Sequence, residues 1–145
     1  MEIDGLLMHQ LFQTTRIISY SLNRYFSPYD LHFSEWGIII TLMEREPMTQ
    51  RGLAAYLNVE PAAISKSLTR MERKGLIMRE VGSDRREKRV FLTEEAKKNY
   101  QVWNNIAGEH RKAVLADLDW GKKNEIYQLL KGICQATQQC EEKKQ

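Results

Sequence analysis

Cysteine is scarce in this 145-residue chain: Cys134 and Cys140 are the only two, six positions apart near the C-terminus. That spacing is neither a CxxC motif nor a disulfide framework, and it fits a reducing compartment. With three prolines and eight glycines the chain has few breakers, so long helices are allowed and collagen-like or linker-like compositions are excluded. Long apolar runs are missing too. The longest, Trp36 to Met43, is far short of the roughly 20 residues that cross a bilayer, so no membrane association is expected. The N-terminal MEIDGLLMHQ has acids where a secretory signal has lysines, and the expected location is the cytoplasm. The chain also lacks a P-loop, a nucleophile elbow, an HExxH pair and a paired-cysteine metal motif. Its three histidines, His9, His32 and His110, are scattered. Neither an enzyme nor a cofactor is expected.

What is present is an apolar fraction of 42% beside 28% charged residues, which excludes a disordered chain. The length suits one domain of ordinary size or two small ones sharing a core. The net charge of +3 is unevenly spread. Residues 47–92 hold ten Lys/Arg and five Asp/Glu, a balance of +5, whereas the remainder holds twelve against fourteen, a balance of −2. A basic middle between near-neutral flanks points to a polyanion-binding centre on a different kind of scaffold.

Residues 3–26 place Leu7, Leu11, Ile18, Leu22, Tyr25 and Phe26 three, four or seven apart, the spacing of an amphipathic helix. Ser27-Pro28 ends it. Ser34 is the expected N-cap of a second helix with the inward stripe Trp36, Ile39, Ile40 and Met43, broken at Pro47. Thr49 caps a short helix over 50–56, with Leu53, Ala54 and Leu57 inward. Pro61 opens another that buries Ile64, Leu68 and Met71 and stops at Gly75. Residues 76–81 and 89–92 read as strands of a hairpin around a charged tip. Thr93 caps a long helix with the stripe Tyr100, Trp103, Ala107, His110, Val114 and Leu118. After Asp119-Trp120-Gly121, a last helix carries Ile126, Leu129, Leu130, Ile133 and Cys134, the cysteine as a small core residue.

Two short helices, a tight turn and a charged hairpin describe a winged helix-turn-helix. The fold class expected is mainly α with a small β-hairpin wing. In the second short helix, Ala62, Ala63, Ser65, Lys66, Thr69, Arg70 and Arg73 remain once the core face is assigned, and 62, 66, 69, 70 and 73 share one outward face. Small residues let a helix sink into the major groove, and hydroxyl and cationic groups suit bases and phosphates. An ordinary solvated face would mix in acids, but Glu72 is the sole acid from Pro61 to Arg79.

These segments resemble the MarR family of bacterial transcription regulators. The matching pieces are MTQRGLAAYLNV, ISKSLTRMERKGLIMR and DRREKRVFLT, with the wing signature D-x-R-x-x-x-V-x-L-T at Asp84, Arg86, Val90, Leu92 and Thr93, and LHFSEWGIIITL resembles the family's second helix. Gly52, Glu60 and Ala96 depart from the family pattern without touching the DNA face. The resemblance implies one domain over 1–145, with a winged lobe at about 34–92 and dimerisation helices at about 3–26 and 94–140. It implies a homodimer on double-stranded DNA at a pseudo-palindromic operator, acting as a ligand-responsive repressor. Arg86 would enter the minor groove, oriented by Asp84, with Arg85 and Lys88 beside it. Small aromatic or anionic effectors would lie between the dimer helices and each lobe, with Tyr20, Arg24, His32, Trp36 and Tyr100 as candidate lining residues, each equally open to a core or surface role. Zinc-sensing relatives make His32, Glu109 and His110 worth examining, but a second histidine one turn from His110 is missing, and no metal site is expected. A zinc-responsive regulator and a winged-helix module that binds protein are the alternatives.

Overall fold

The computed structural model describes residues 2–84 and 87–145. The chain divides into two units, Met1–His110 and Arg111–Gln145. In the first, helix α1 (Ile3–Phe26) leads through a 3-10 turn (Ser27–Tyr29) to α2 (Phe33–Arg45). Strand β1 (Met48–Thr49), helices α3 (Gln50–Leu57) and α4 (Pro61–Arg73), strands β2 (Ile77–Val81) and β3 (Lys88–Leu92), and helix α5 (Glu94–Val114) follow, the last turn of α5 belonging to the second unit. The sheet is antiparallel in the order β1-β3-β2, with Ile77 opposite Leu92 and Met48 opposite Val90. The two-residue β1 was not foreseen.

Local chemistry accounts for the element ends. Helix α2 is capped two residues earlier than expected. His32, not Ser34, is the N-cap: its backbone N–H donates to Glu35 Oε2 (3.0 Å) and its Nδ1 faces the Ser34 N–H at 3.3 Å. The inward stripe shifts with it. Glu35, Trp36, Ile38, Ile39, Thr41 and Leu42 are buried, while Met43 is exposed. Thr49 Oγ1 accepts from Gly52 N (2.9 Å), so α3 keeps its cap without a glutamate partner. Asn58 ends α3 at φ 53, and Gly75 closes the turn after α4 at φ 74, where a side chain would be strained. Thr93 joins three elements. Its hydroxyl donates to Gly75 O (2.7 Å) and accepts from Ala96 N (3.1 Å), and its own N–H donates to Leu76 O (3.1 Å).

The core draws Phe26 from α1, Ile39 and Leu42 from α2, Leu53 from α3, Leu68 and Met71 from α4, and Ile77, Val90 and Leu92 from the sheet. Helix α5 adds Ala96, Trp103 and Ala107. Phe26 is the one residue of α1 that is buried; Leu6, Leu7, Met8, Phe12, Ile17 and Ile18 are exposed.

In the second unit, Asp119 Oδ1 accepts from Lys122 N (2.9 Å) and caps α6 (Trp120–Glu142). No residue of α6 is buried, and Ile126, Leu129, Leu130 and Ile133 form an exposed apolar stripe at helical spacing. Cys134, expected in a core, is exposed. Val114 is exposed as well, and Leu118 lies beyond the end of α5. Among the described residues, no helix is long and apolar enough to cross a membrane.

Candidate nucleic-acid interface

The geometry of α4 starts from its two ends. Pro61 occupies the first turn, where its missing N–H costs nothing, and Ile64, Ser67, Leu68 and Met71 face inward. The opposite face presents Ala62, Ala63, Lys66, Thr69 and Arg73 to solvent, with Ser65 and Arg70 half-buried. Ser65, Lys66, Thr69, Arg70 and Arg73 line a groove of about 310 Å³. Among the described residues, Lys66 and Arg73 take part in no ion pair. The exposed end is small and the rest cationic, the arrangement that a helix entering a major groove requires.

Two side chains on this face are already committed within the protein. Thr69 Oγ1 donates to Ser65 O (2.9 Å), the usual back-bond of a helical threonine. Arg70 Nε donates to Glu35 Oε1 (2.7 Å), and Arg70 Nη2 reaches Ser34 Oγ (3.4 Å). One turn on, Lys74 Nζ donates to Glu35 Oε2 (3.0 Å) and to Asp30 O (2.7 Å). The Glu35 side chain is fully buried, while those of Arg70 and Lys74 are 41% and 23% exposed. Burial pushes the Glu35 carboxyl up, but the Arg70, His32 and Lys74 donors outweigh it and hold the group below the ordinary carboxylate value. Sequence reasoning missed Glu35 and Lys74. The one local signal was a Glu three residues after a possible cap, and His32 disguised it.

A second ion pair fixes the far side of α4. Arg79 of β2 donates from Nε and Nη2 to the two oxygens of Glu72 (3.1 and 3.2 Å), a bidentate pair. The same guanidinium lies 3.5 Å from Gln50 Oε1 and from Thr69 Oγ1, bringing α3, α4 and β2 together. The hydrogen bond from Arg79 is the main reason the Glu72 carboxyl titrates below its ordinary value.

Between the start of α3 and the hairpin, Thr49, Gln50, Arg51, Pro61, Asp84, Glu87 and Lys88 line a cavity of about 520 Å³. Asp84 and Lys88 are exposed at the hairpin's tip and at the start of β3. Arg85 and Arg86 lie outside the described residues, so the expected Asp84–Arg86 arrangement has no geometry here.

The five candidate effector residues are dispersed in character. Trp36 is only 4% exposed and belongs to the core, stacked on half-buried Tyr100 with ring centroids 5.6 Å apart and packed against Phe26. Tyr20 and Arg24 are exposed on α1. His32 lines a cavity of about 380 Å³ with Asn23, Ser27, Asp30, Leu31, Arg70 and Lys74. Its ring lies 2.7 Å from Ser34 Oγ through Nδ1 and 3.3 Å from Asn23 Nδ2 through Nε2. His110 is buried beside Ser21 Oγ (3.1 Å) and edge-on to Tyr25. Among the described residues, no three His, Cys, Asp or Glu side chains are gathered to hold a metal.

The MarR family profile matches residues 29–87, from the turn before α2 to the hairpin. The HTH-type transcriptional regulator YwoH of Bacillus subtilis (strain 168) is 37% identical over 111 residues, which are 77% of this chain and 81% of that protein. A MarR transcriptional regulator from Methanosarcina mazei Go1 superposes with a TM-score of 0.83 over 94% of this chain and 99% of its own, at 20% identity. The organohalide-sensing RdhR-CbdbA1625 regulator, in its 2,4-dichlorophenol-bound form, gives a TM-score of 0.88 at 24% identity over 94% of this chain and 82% of its own. The mainly helical fold with a three-stranded antiparallel sheet is shared with these structures, and the relationship to YwoH extends it to sequence. The chain belongs to the MarR family of winged helix-turn-helix, DNA-binding transcription regulators.

Proposed function

We propose that this protein is a cytoplasmic, ligand-responsive repressor that binds a pseudo-palindromic operator as a homodimer. The observation that carries the DNA reading is the outward face of α4, where Ala62 and Ala63 leave room and where Lys66 and Arg73 form no ion pair among the described residues. Two further elements support the dimer. The apolar stripe of α6 and several apolar residues of α1 are exposed, and a helix with no buried residue gains little by staying alone. The single domain would thus comprise a winged lobe at about 34–92 and dimerisation helices at about 3–26 and 94–140. Two-fold symmetry sets the half-sites about one helical turn, 34–36 Å, apart. A dimer seated on a promoter excludes the polymerase, which makes repression its simplest output. The related fold that takes 2,4-dichlorophenol supports a small aromatic or anionic effector.

The test is selection of duplexes from a random pool by the full chain, followed by transcription from a template carrying the selected sequence. A recovered inverted repeat, with transcription falling as protein is added, is the expected result. Recovery of no sequence, or of a single asymmetric site, contradicts the reading.

A further inference from the structure

We propose that Glu35, a residue too deeply buried to touch any ligand, is the positioning residue for base reading by α4. The inference rests on the reading of α4 as the DNA-recognition helix and adds what holds that helix in register. The Glu35 side chain is fully buried, and each oxygen is spoken for: Oε1 by Arg70 Nε at 2.7 Å, and Oε2 by Lys74 Nζ and the His32 N–H, both at 3.0 Å. A buried ionic cluster is a poor way to glue two helices. Apolar residues of the same volume commonly do as well or better, because the ions lose their hydration. What the cluster provides instead is geometry.

Arg70 and Lys74 sit one turn apart on α4, so two anchors on one carboxylate fix both the roll of the helix and its position along its axis. A contact that reads a base has to be held within about 0.5 Å and 10–20°. Arg70 itself stands at the border of two spaces. It lines the outward groove with Lys66 and Arg73, and it lines a second, open cleft with Asn23 and His32. One edge of its guanidinium is tied to Glu35 and Ser34, and 41% of the side chain is still exposed. A planar fork whose orientation is set beforehand loses less freedom on binding DNA than a free arginine does. The anchor is itself referred to α1. Asn23 Oδ1 accepts from Phe33 N (2.8 Å) at the start of α2, beside the His32 N–H that Glu35 accepts.

The test compares a selected duplex with a shuffled one by fluorescence anisotropy, using the full chain. Glu35→Gln keeps the shape, removes the charge and turns an amide donor toward donors. Affinity for the selected duplex should fall on the order of tenfold, with the shuffled duplex changing less than about threefold. Glu35→Leu, which fills the same space without an anchor, should lose the same discrimination; it keeps the claim testable if the glutamine variant melts below the assay temperature. In an Arg70→Ala background, Glu35→Gln should change the selected-to-shuffled ratio less than it does in the wild type, since one of the two residues through which it acts is gone. A purely structural role would lower both affinities in both backgrounds. Lys66→Ala separates the two readings. If it leaves binding unchanged, α4 is not the reading helix. If it weakens binding while both Glu35 variants keep the wild-type ratio, or lose it equally without Arg70, the positioning role is overturned.

Discussion

Replacing Leu129 by alanine is a direct trial of the proposed dimer. Leu129 is 61% exposed in the single chain, although it lies on the apolar stripe of α6 with Ile126, Leu130 and Ile133. Full burial of a leucine is worth about 1.5–3 kcal/mol, so a partner that covers the exposed part gains about 1–2 kcal/mol from each copy. Two-fold symmetry doubles the loss on substitution to about 2–4 kcal/mol, or roughly 30- to 1000-fold in the dimer dissociation constant. Sedimentation over a nanomolar to micromolar series measures this. Wild-type protein should sediment at about twice the 17.0 kDa chain mass, and Leu129→Ala should move the midpoint by that factor. Gln138 lies half a helical revolution from Leu129, and Gln138→Ala should change nothing. A wild-type monomer at micromolar concentration, or a Leu129→Ala dimer as tight as wild type, refutes the reasoning.

Further outcomes follow from the same structure. Leu68 is fully buried on the inner face of α4, and Leu68→Ala should cost about 2–5 kcal/mol in urea unfolding; a loss below about 1 kcal/mol would mean that α4 is not packed as described. The His32 imidazole is held below its ordinary value of 6.5, first by burial and then by the nearby Arg70 guanidinium. The folded state therefore favours the neutral ring, and the stability this confers is complete above pH 6.5 and falls as the pH drops through 6.5 toward the depressed value. Thermal melts of His32→Asn, which retains an N-cap side chain, should show a flatter slope than wild type in that window; parallel curves would count against it. By its place in the wing motif, Arg86→Ala should lose more affinity on operators with A·T-rich flanks than on G·C-flanked versions of the same core. Equal losses would make Arg86 a phosphate contact.

Much of the lobe was legible in the sequence because local signals agreed with one another. Thr49, Pro61, Gly75 and Thr93 mark element ends by their own chemistry, and each does so in the structure. Helix α2 was harder. It is apolar on nearly every side, so periodicity could not choose between Met43 and Leu42, and burial on two fronts chose Leu42. Strand β1 is two residues long and exists through its pairing with Val90 and Arg89, which no local pattern announces. The outward face of α4 was readable, but the commitment of Arg70 to Glu35 was not. The two lie 35 positions apart, and their pairing depends on how α2 crosses α4. Cys134 read as a small core residue of the last helix by its spacing, yet it is exposed, like the apolar stripe beside it. Sequence periodicity reports an apolar face without saying whether the same chain covers it.

The central claim is that α4 presents this protein to DNA, and the salt dependence of binding tests it most directly. Anisotropy titrations of the selected duplex over a range of salt concentrations should compare wild type with the Lys66→Ala, Arg73→Ala double variant. If both side chains meet phosphates, the slope of log K against log salt should flatten by about two units per protomer. If either reads a base edge, affinity for the selected duplex should fall by a further 1–3 kcal/mol or about that, relative to a shuffled sequence. Wild-type affinity and slope in the double variant would contradict the account.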